Sequence, residues 1–172
     1  MKDKRGFTLI ELIVVLGLAG IVMSVVMSFF IANYKSYETI NTDTELQYQS
    51  QYIINFMTNK ILEANEIVSV NKNSDINLTT EKEISFISFQ YGQDDTECYN
   101  FKVEDNRIYF GDDVVNGDAS SQIGGSFDKL KLIILPIDAS FKDTNSIKIK
   151  LELKNRNKIY DAEQIIYMRN SK

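Results

Sequence analysis

The sequence predicts an α+β chain in which one long N-terminal α-helix packs on an antiparallel β-sheet. Three observations support this prediction. The chain carries no charged residue from position 12 to position 34. Apolar residues then recur at helical spacing as far as Val68, and after about Asn71 apolar and polar residues alternate with the period of a β-strand.

The uncharged segment at residues 12–34 predicts the first half of the helix. It is long enough to cross a bilayer, which takes roughly 20 apolar residues in a helix. Lys2, Lys4 and Arg5 precede it, and the next basic residue is Lys35. By the positive-inside rule, the leader stays in the cytoplasm and the C-terminal body lies outside.

The second half of the helix is predicted to be amphipathic. Its apolar residues are spaced by seven, four, four, three and four, which places them on one helical face. They are Leu46, Ile53, Met57, Ile61, Ala64 and Val68. We expect the helix to run from Thr8 to about Ala64 and to lie with this face against a sheet.

The strands are predicted from alternating apolar and polar residues. Candidate strands lie at residues 83–91, 99–103, 107–110, 130–135, 147–153 and 158–168. Asp105-Asn106 and residues 155–157 are typical of tight turns between strands. Residues 112–125 are rich in Gly, Asp and Ser and are the longest predicted loop.

Composition argues against catalysis and against nucleic-acid binding. The chain contains no histidine, which removes the commonest general base and metal ligand. Cys98 is the sole cysteine, so an intrachain disulfide is impossible, and we expect it to be a small core residue. The net charge is −5, and an acidic body disfavours binding to phosphates. We therefore predict no enzymatic activity, no cofactor and no direct nucleic-acid binding.

An oxygen-rich segment within the predicted loop is the main candidate for a metal site. Asp112, Asp113, Asn116 and Asp118 offer the carboxylate and amide oxygens that Ca²⁺ prefers. Their spacing is not that of an EF-hand loop, and clustered Asp and Asn are ordinary turn residues. We predict no metal site and keep Asp112, Asp113 and Asp118 as the alternative, a set of calcium ligands.

The N-terminal segment carries the most specific motif in the chain. A short basic leader ends in a glycine, and an aromatic residue, a Thr-Leu-Ile triplet and a glutamate follow. The motif residues are Lys4, Arg5, Gly6, Phe7, Thr8, Leu9, Ile10 and Glu11. This arrangement resembles the N-terminus of type IV pilins and pseudopilins. The resemblance covers the N-terminal part of the chain, so the remainder must be interpreted separately.

The resemblance implies how this segment is processed. In that family a membrane prepilin peptidase cuts after the glycine, so cleavage is expected between Gly6 and Phe7, with N-methylation at Phe7. It also implies that Glu11 pairs with the Phe7 amine between neighbouring subunits of a filament. A local role for Glu11 stays open, because Thr8 and Glu11 fit a capping box, which satisfies the first helical amides. The two roles are compatible.

Other parts of the chain refine the resemblance. Major pilins commonly carry a proline in this helix, whereas the only proline here is Pro136. Residues 53–64 and 166–170 resemble segments of W-type minor pilins and J-type pseudopilins. The resemblance therefore implies a minor pilin or pseudopilin of a type IV pilus, a type II secretion system or a competence pseudopilus.

The predicted organisation is a leader peptide at 1–6, a transmembrane and filament-core helix at 7–34, and a globular head at 35–172. The expected partners are prepilin peptidase, other pilin or pseudopilin subunits, the membrane assembly machinery and, before assembly, membrane lipid. We expect a single-pass membrane protein with its C-terminal domain outside the cytoplasmic membrane, which later enters an extracellular filament or pseudopilus.

One alternative comes from a different class of protein. A membrane-anchored extracytoplasmic binding or enzymatic domain with an uncleaved signal anchor would also show an apolar span and this charge bias. It would not account for the offsets of Gly6, Phe7 and Glu11.

Overall fold

The computed structural model describes residues 6–72, 80–92, 97–113, 117–135 and 144–168. Within these residues the structure contains one α-helix and nine β-strands. The chain divides into two compact units, Met1–Asn41 and Thr42–Lys172. The helix α1 (Leu9–Leu62) continues from the first unit into the second. The predicted fold class, α+β with a long N-terminal helix packed on antiparallel strands, is confirmed.

The described strands form two antiparallel sheets, whereas the sequence predicted one. They are β1 (Ala64–Val70), β2 (Lys82–Ile84), β3 (Phe86–Tyr91), β4 (Cys98–Glu104), β5 (Arg107–Asp113), β6 (Ser121–Gly124), β7 (Phe127–Leu135), β8 (Ser146–Asn155) and β9 (Lys158–Tyr167). The five-stranded sheet has the order β1-β3-β4-β5-β6, and the four-stranded sheet has the order β2-β7-β8-β9.

The part of α1 that lies in the second unit is amphipathic, as its sequence predicted. Its buried residues are Leu46, Ser50, Ile53, Ile54, Met57 and Ile61. All of them except Ser50 join one apolar cluster with the inward faces of both sheets. Aromatic rings fix part of this contact, since the Phe56 ring centroid lies 5.1 Å from that of Phe110 and 6.5 Å from that of Phe101.

The helix ends earlier than its apolar spacing predicted. Its last residue is Leu62, and the Glu63 amide donates a hydrogen bond to the Lys60 carbonyl at 3.3 Å. Ala64 and Val68, which continue the helical spacing, lie in β1. A spacing of four residues fits a strand as well as a helix, so the pattern alone could not separate the two. These residues form a strand because β1 pairs with β3 and contains β-branched residues, which favour strands.

The predicted strand at residues 83–91 is in fact two strands in different sheets. The side-chain oxygen of Asn71 accepts hydrogen bonds from the Ser85 amide at 2.8 Å, the Ser85 hydroxyl at 3.1 Å and the Phe86 amide at 3.1 Å. These bonds take amides that a continuous strand would use in its ladder. The chain therefore leaves the four-stranded sheet after β2 and enters the five-stranded sheet at β3.

Both predicted tight turns are confirmed. Asp105 and Asn106 connect β4 to β5 with φ of 50° and 59°, as a two-residue hairpin requires. Asn155 pairs with Lys158 across the second turn, where Arg156 has φ of 53°.

The predicted loop at 112–125 is wrong at both ends: Asp112 and Asp113 belong to β5, and the last part forms β6, which pairs with β5. The signal was weak because β6 is short and contains Gly124. A side chain at Gly124 would collide with Ile53 of the helix, so this glycine permits close helix–strand packing. Asn116, Pro136, Arg169 and Asn170 lie outside the described residues.

Candidate functional site

The N-terminus of α1 is closed by a reciprocal pair of residues. The Glu11 amide donates to the Thr8 hydroxyl oxygen, while the Thr8 amide and hydroxyl both donate to Glu11 Oε2, each at 3.4 Å. The Leu12 amide donates to the Thr8 carbonyl at 3.2 Å and begins the helical ladder. This is the geometry of a capping box. Its bonds are long compared with the usual 2.9–3.0 Å, so they hold the carboxylate weakly.

The bond between Gly6 and Phe7 precedes the helix. Residues 6–8 are irregular, and Gly6 has open space where a side chain would be. The Phe7 side chain is 86% exposed. An enzyme that cuts here would meet backbone that is not committed to helical hydrogen bonds. The new amine would arise one residue before the capped Thr8 amide.

The first unit continues as an apolar, uncovered helix. Every described residue from 6 to 41 is exposed, including large aliphatic side chains along the whole segment. The helix is long and apolar enough to cross a membrane. Glu11 is the only charged residue between Gly6 and Tyr34. A segment of this kind requires apolar surroundings, whether lipid or other helices.

Polar side chains within this apolar segment bond to its own backbone. Ser24 donates to the Ile21 carbonyl at 2.7 Å, and Ser28 donates to the Ser24 carbonyl at 2.8 Å. Asn33 donates to the Phe29 carbonyl at 2.8 Å. These bonds satisfy the donors without water, which suits a segment transferred out of water. Glu11, held only by long bonds, is the group that still needs a partner there.

Of the candidate calcium ligands, the structure describes the side chains of Asp112 and Asp118. Asp112 lies on β5, where its carboxylate accepts a hydrogen bond from the Tyr91 hydroxyl at 2.7 Å. Asp118 is exposed, and the Asp113 side chain and Asn116 lie outside the described part of the structure. Among the described residues, no three acidic or cysteine side chains form a group that could hold a metal ion.

An aromatic and charged cluster joins the C-terminal end of α1 to the five-stranded sheet. The Tyr99 hydroxyl donates to Glu63 Oε2 at 2.9 Å, and the Tyr91 and Tyr99 rings stack with centroids 3.9 Å apart. The Lys60 ammonium lies 4.5 Å from the Tyr99 ring centroid. The sequence does not reveal this cluster, because nothing in the helical pattern marks Glu63 as a partner of a distant strand.

Both tyrosines in this cluster hold their protons tightly. The hydrogen bond to the Asp112 carboxylate, assisted by burial, raises the pKa of Tyr91 to about 12. Burial, assisted by the hydrogen bond to Glu63, raises the pKa of Tyr99 above its ordinary value. Neutral phenols that donate to carboxylates stabilise the junction between helix and sheet.

Comparison with known proteins identifies the N-terminal segment. Residues 1–27 match the family model described as the prokaryotic N-terminal methylation motif. This motif is the type IV pilin signature and indicates a pilin-like substrate of prepilin peptidase. Searches of curated proteins and of solved structures gave no match. The match favours a structural role over an enzymatic one and does not extend to the sheets.

Proposed function

We propose that this protein is a structural subunit, a minor pilin or pseudopilin, that is assembled through its N-terminal helix. Prepilin peptidase cleaves between Gly6 and Phe7 and methylates Phe7. The mature chain waits in the membrane, and an assembly machine then moves it into a filament or pseudopilus. The observation that carries this proposal is the methylation motif at residues 1–27, at the start of a capped helix whose exposed, apolar first part, as far as Tyr34, contains a single carboxylate.

The apolar helix supports both stages of this life cycle. Its exposed aliphatic side chains suit lipid before assembly and neighbouring helices afterwards. Gly17 and Gly20 have open space around their Cα atoms, so another helix could approach closely there. We assign residues 1–6 to the leader, 7–34 to the membrane and filament-core helix, and 35–172 to the head. The absence of a proline in this helix supports a minor subunit rather than a major one.

Glu11 is the residue we assign to subunit pairing. An ionised carboxylate in an apolar helix bundle is costly unless a cation and hydrogen bonds compensate for it. Cleavage creates such a cation at Phe7, and the long bonds of the capping box leave Glu11 able to engage it. The capping box orders the first turn before assembly, and the pair between subunits forms when the helices meet.

Intact-mass analysis of the protein from cells tests the maturation step. We expect the loss of residues 1–6 and the gain of one methyl group. Gly6→Val should retain the full leader, because a branched side chain obstructs the peptidase at the scissile bond. An intact N-terminus in the wild-type protein, in cells with active peptidase, would instead support an uncleaved signal anchor.

Two matched variants separate the pairing role of Glu11 from its capping role. Glu11→Gln keeps a capping side chain but removes the charge, whereas Thr8→Ala removes the cap but keeps the charge. Loss of one partner of a buried ion pair costs about 3–5 kcal/mol, and loss of a cap costs about 0.5–2 kcal/mol. We expect Glu11→Gln, like Glu11→Leu, to lower the ratio of filament-associated to membrane-pool protein strongly, and Thr8→Ala to lower it little.

Cleavage should be unaffected in all three variants, which the same mass measurement checks. Equal assembly of Glu11→Gln and wild-type protein would remove the pairing role and leave the capping box as the function of Glu11.

A further inference from the structure

The free edges of the two sheets differ in how well they are protected. β1 carries two register irregularities against β3, and bulges of this kind discourage a further strand from pairing. β2 and β6 are short, with three and four residues. β9 is different, since it has ten residues and pairs with β8 along its whole length with no register shift. In the described residues it has no neighbour on its other side.

The unpaired backbone groups of β9 can be assigned to particular residues. The Met168 amide, just after β9, donates to the Asn145 carbonyl at 2.9 Å, so residue 168 points its backbone groups toward β8. In a regular antiparallel ladder this direction alternates from one residue to the next. Even-numbered residues of β9 therefore bond to β8. The amides and carbonyls that face the open edge belong to Ile159, Asp161, Glu163, Ile165 and Tyr167.

A side-chain bond at this edge agrees with the assignment. The Gln164 side-chain nitrogen donates to the Ile165 carbonyl at 3.1 Å, as expected if that carbonyl takes no part in the ladder with β8. The bond is local and exposed, so an incoming strand could replace it. The edge thus offers a regular row of donors and acceptors.

The outward side chains give this edge a specific pattern. Ile159, Ile165 and Tyr167 are 60%, 43% and 65% exposed, and Asp161 and Glu163 lie between them. Lys148 on β8 lies 2.8 Å from Glu163, and Lys150 lies 3.9 Å from Asp161. Hydrogen bonding from Lys148 holds the pKa of Glu163 below its ordinary value, so this carboxylate is charged at neutral pH. Lys148 and Lys150 therefore neutralise the acids from the β8 side, although Glu152 stands directly opposite Asp161, and the other side is open.

This pattern disfavours a second copy of β9 as the occupant. In the two antiparallel registers that overlap nearly the whole strand, either Glu163 faces its own copy or Asp161 faces Glu163 of the copy. Like charges directly opposite each other destabilise a strand pair. On the β8 side Asp161 already faces Glu152, so a further acid opposite it would add repulsion. A strand with lysines opposite Asp161 and Glu163 would instead place a cation on each acid.

We propose that the open edge of β9 binds an extended strand of another protein, with basic residues opposite Asp161 and Glu163 and apolar residues opposite Ile159 and Ile165. Main-chain bonds to the odd-numbered residues supply the attachment, and the alternate side chains supply the selection. The surface lies in the head, so the inference goes beyond the proposed function and holds whether or not the leader is cleaved.

The test uses the full chain in detergent micelles and two synthetic peptides. The basic peptide is Val-Thr-Val-Thr-Lys-Thr-Lys-Thr-Val, and the acidic control replaces both lysines with glutamate. We expect saturating basic peptide to slow amide hydrogen exchange at Ile159, Asp161, Glu163, Ile165 and Tyr167 by about tenfold or more, as formation of a new ladder requires. The acidic peptide should leave these rates unchanged.

Two variants distinguish a change in peptide binding from a loss of folding. The double variant Asp161→Lys, Glu163→Lys changes only exposed side chains. It should reverse the preference of the edge, so that the acidic peptide protects it and the basic peptide does not. Ile165→Pro removes an outward amide and should abolish protection by the basic peptide, while the even-numbered amides stay protected if the strand remains folded.

Three outcomes would overturn the proposal. The odd-numbered amides could already be as protected as the even-numbered ones in the free chain, which would show that the chain covers its own edge. The two peptides could protect equally, or neither could protect at all.

Discussion

The two parts of α1 share one secondary structure and have opposite surroundings. In the first unit every described side chain of the helix is exposed and most are apolar, whereas in the second unit one face is buried and the other is polar. Helical secondary structure alone therefore does not indicate which surroundings a helix requires. The distribution of apolar residues around the axis says more: an all-round apolar helix needs lipid or other helices, and a one-sided helix needs a sheet.

The two ends of α1 show the same contrast in how they treat a glutamate. Glu11 at the start is exposed and held by bonds of 3.4 Å within its own turn. Glu63, just past the end, accepts a hydrogen bond of 2.9 Å from Tyr99 on β4. The first carboxylate is available to a partner, and the second is committed to the fold.

Separating the two parts should have the largest effect. A chain that starts at Thr39 lacks the apolar segment and keeps the amphipathic helix with both sheets. We expect it to be monomeric and soluble without detergent, and to give the circular dichroism of an α+β protein. The full chain, as the control, should require detergent. A spectrum of disorder, or of helix alone, would contradict the division into an apolar segment and an independent head.

One substitution in each part tests the contrast in burial. Ile53 is fully buried against the sheets, and Ile21 is 63% exposed. Truncating a buried isoleucine to alanine removes apolar contacts and leaves a cavity, which costs about 2–5 kcal/mol. We expect Ile53→Ala to lower the free energy of unfolding of the head by that amount, and Ile21→Ala to change it by less than about 0.5 kcal/mol.

The free energy of unfolding of both variants is measured by denaturant unfolding in micelles, monitored by the near-UV circular dichroism of the tyrosines. An equal loss of stability in the two would show that the first part of the helix also supports the head.

The smallest effect concerns the committed end of the helix and appears only at high pH. Raised folded-state pKa values of Tyr91 and Tyr99 mean that the unfolded chain loses these protons first. The stabilisation is fully present below about pH 10, the unfolded pKa, and is lost as pH rises through the folded values.

The measurement is the free energy of unfolding of wild-type and Tyr99→Phe protein from neutral pH into this alkaline window. We expect Tyr99→Phe to be less stable than wild type at neutral pH and to fall less steeply with rising pH. Parallel pH profiles for the two proteins would contradict this coupling between Tyr99 and Glu63.

The sequence predicted the structure correctly where apolar residues followed a single helical or strand period. The buried face at Leu46, Ile53, Met57 and Ile61 was predicted, as were most strands and both tight turns. It failed where a local pattern fitted two structures, as at Val68, or where a distant side chain decided the outcome. Asn71 interrupts the predicted strand at 83–91 from the other side of a chain reversal, and no local period can report this.

The candidate site was predictable to a different degree. Gly6, Phe7 and Glu11 stand at fixed offsets, so the motif could be found from sequence, and a capping box followed from Thr8 and Glu11. Subunit pairing by Glu11 stays a prediction, because it concerns a neighbouring chain. The open edge of β9 could not be predicted, because it depends on strand order, which the alternation of side chains does not encode.

The break at Ser85 also has a consequence for the order in which the head folds. Strands β3 to β6 pair with neighbours that are close in the chain, so the five-stranded sheet can close early. β2 has to pair with β7, which is much further along the chain. Long-range pairings of this kind form slowly. We therefore expect the folding head to pass through a stage in which one sheet is complete and β2 is still unpaired, and a chaperone acting on it would meet that strand first.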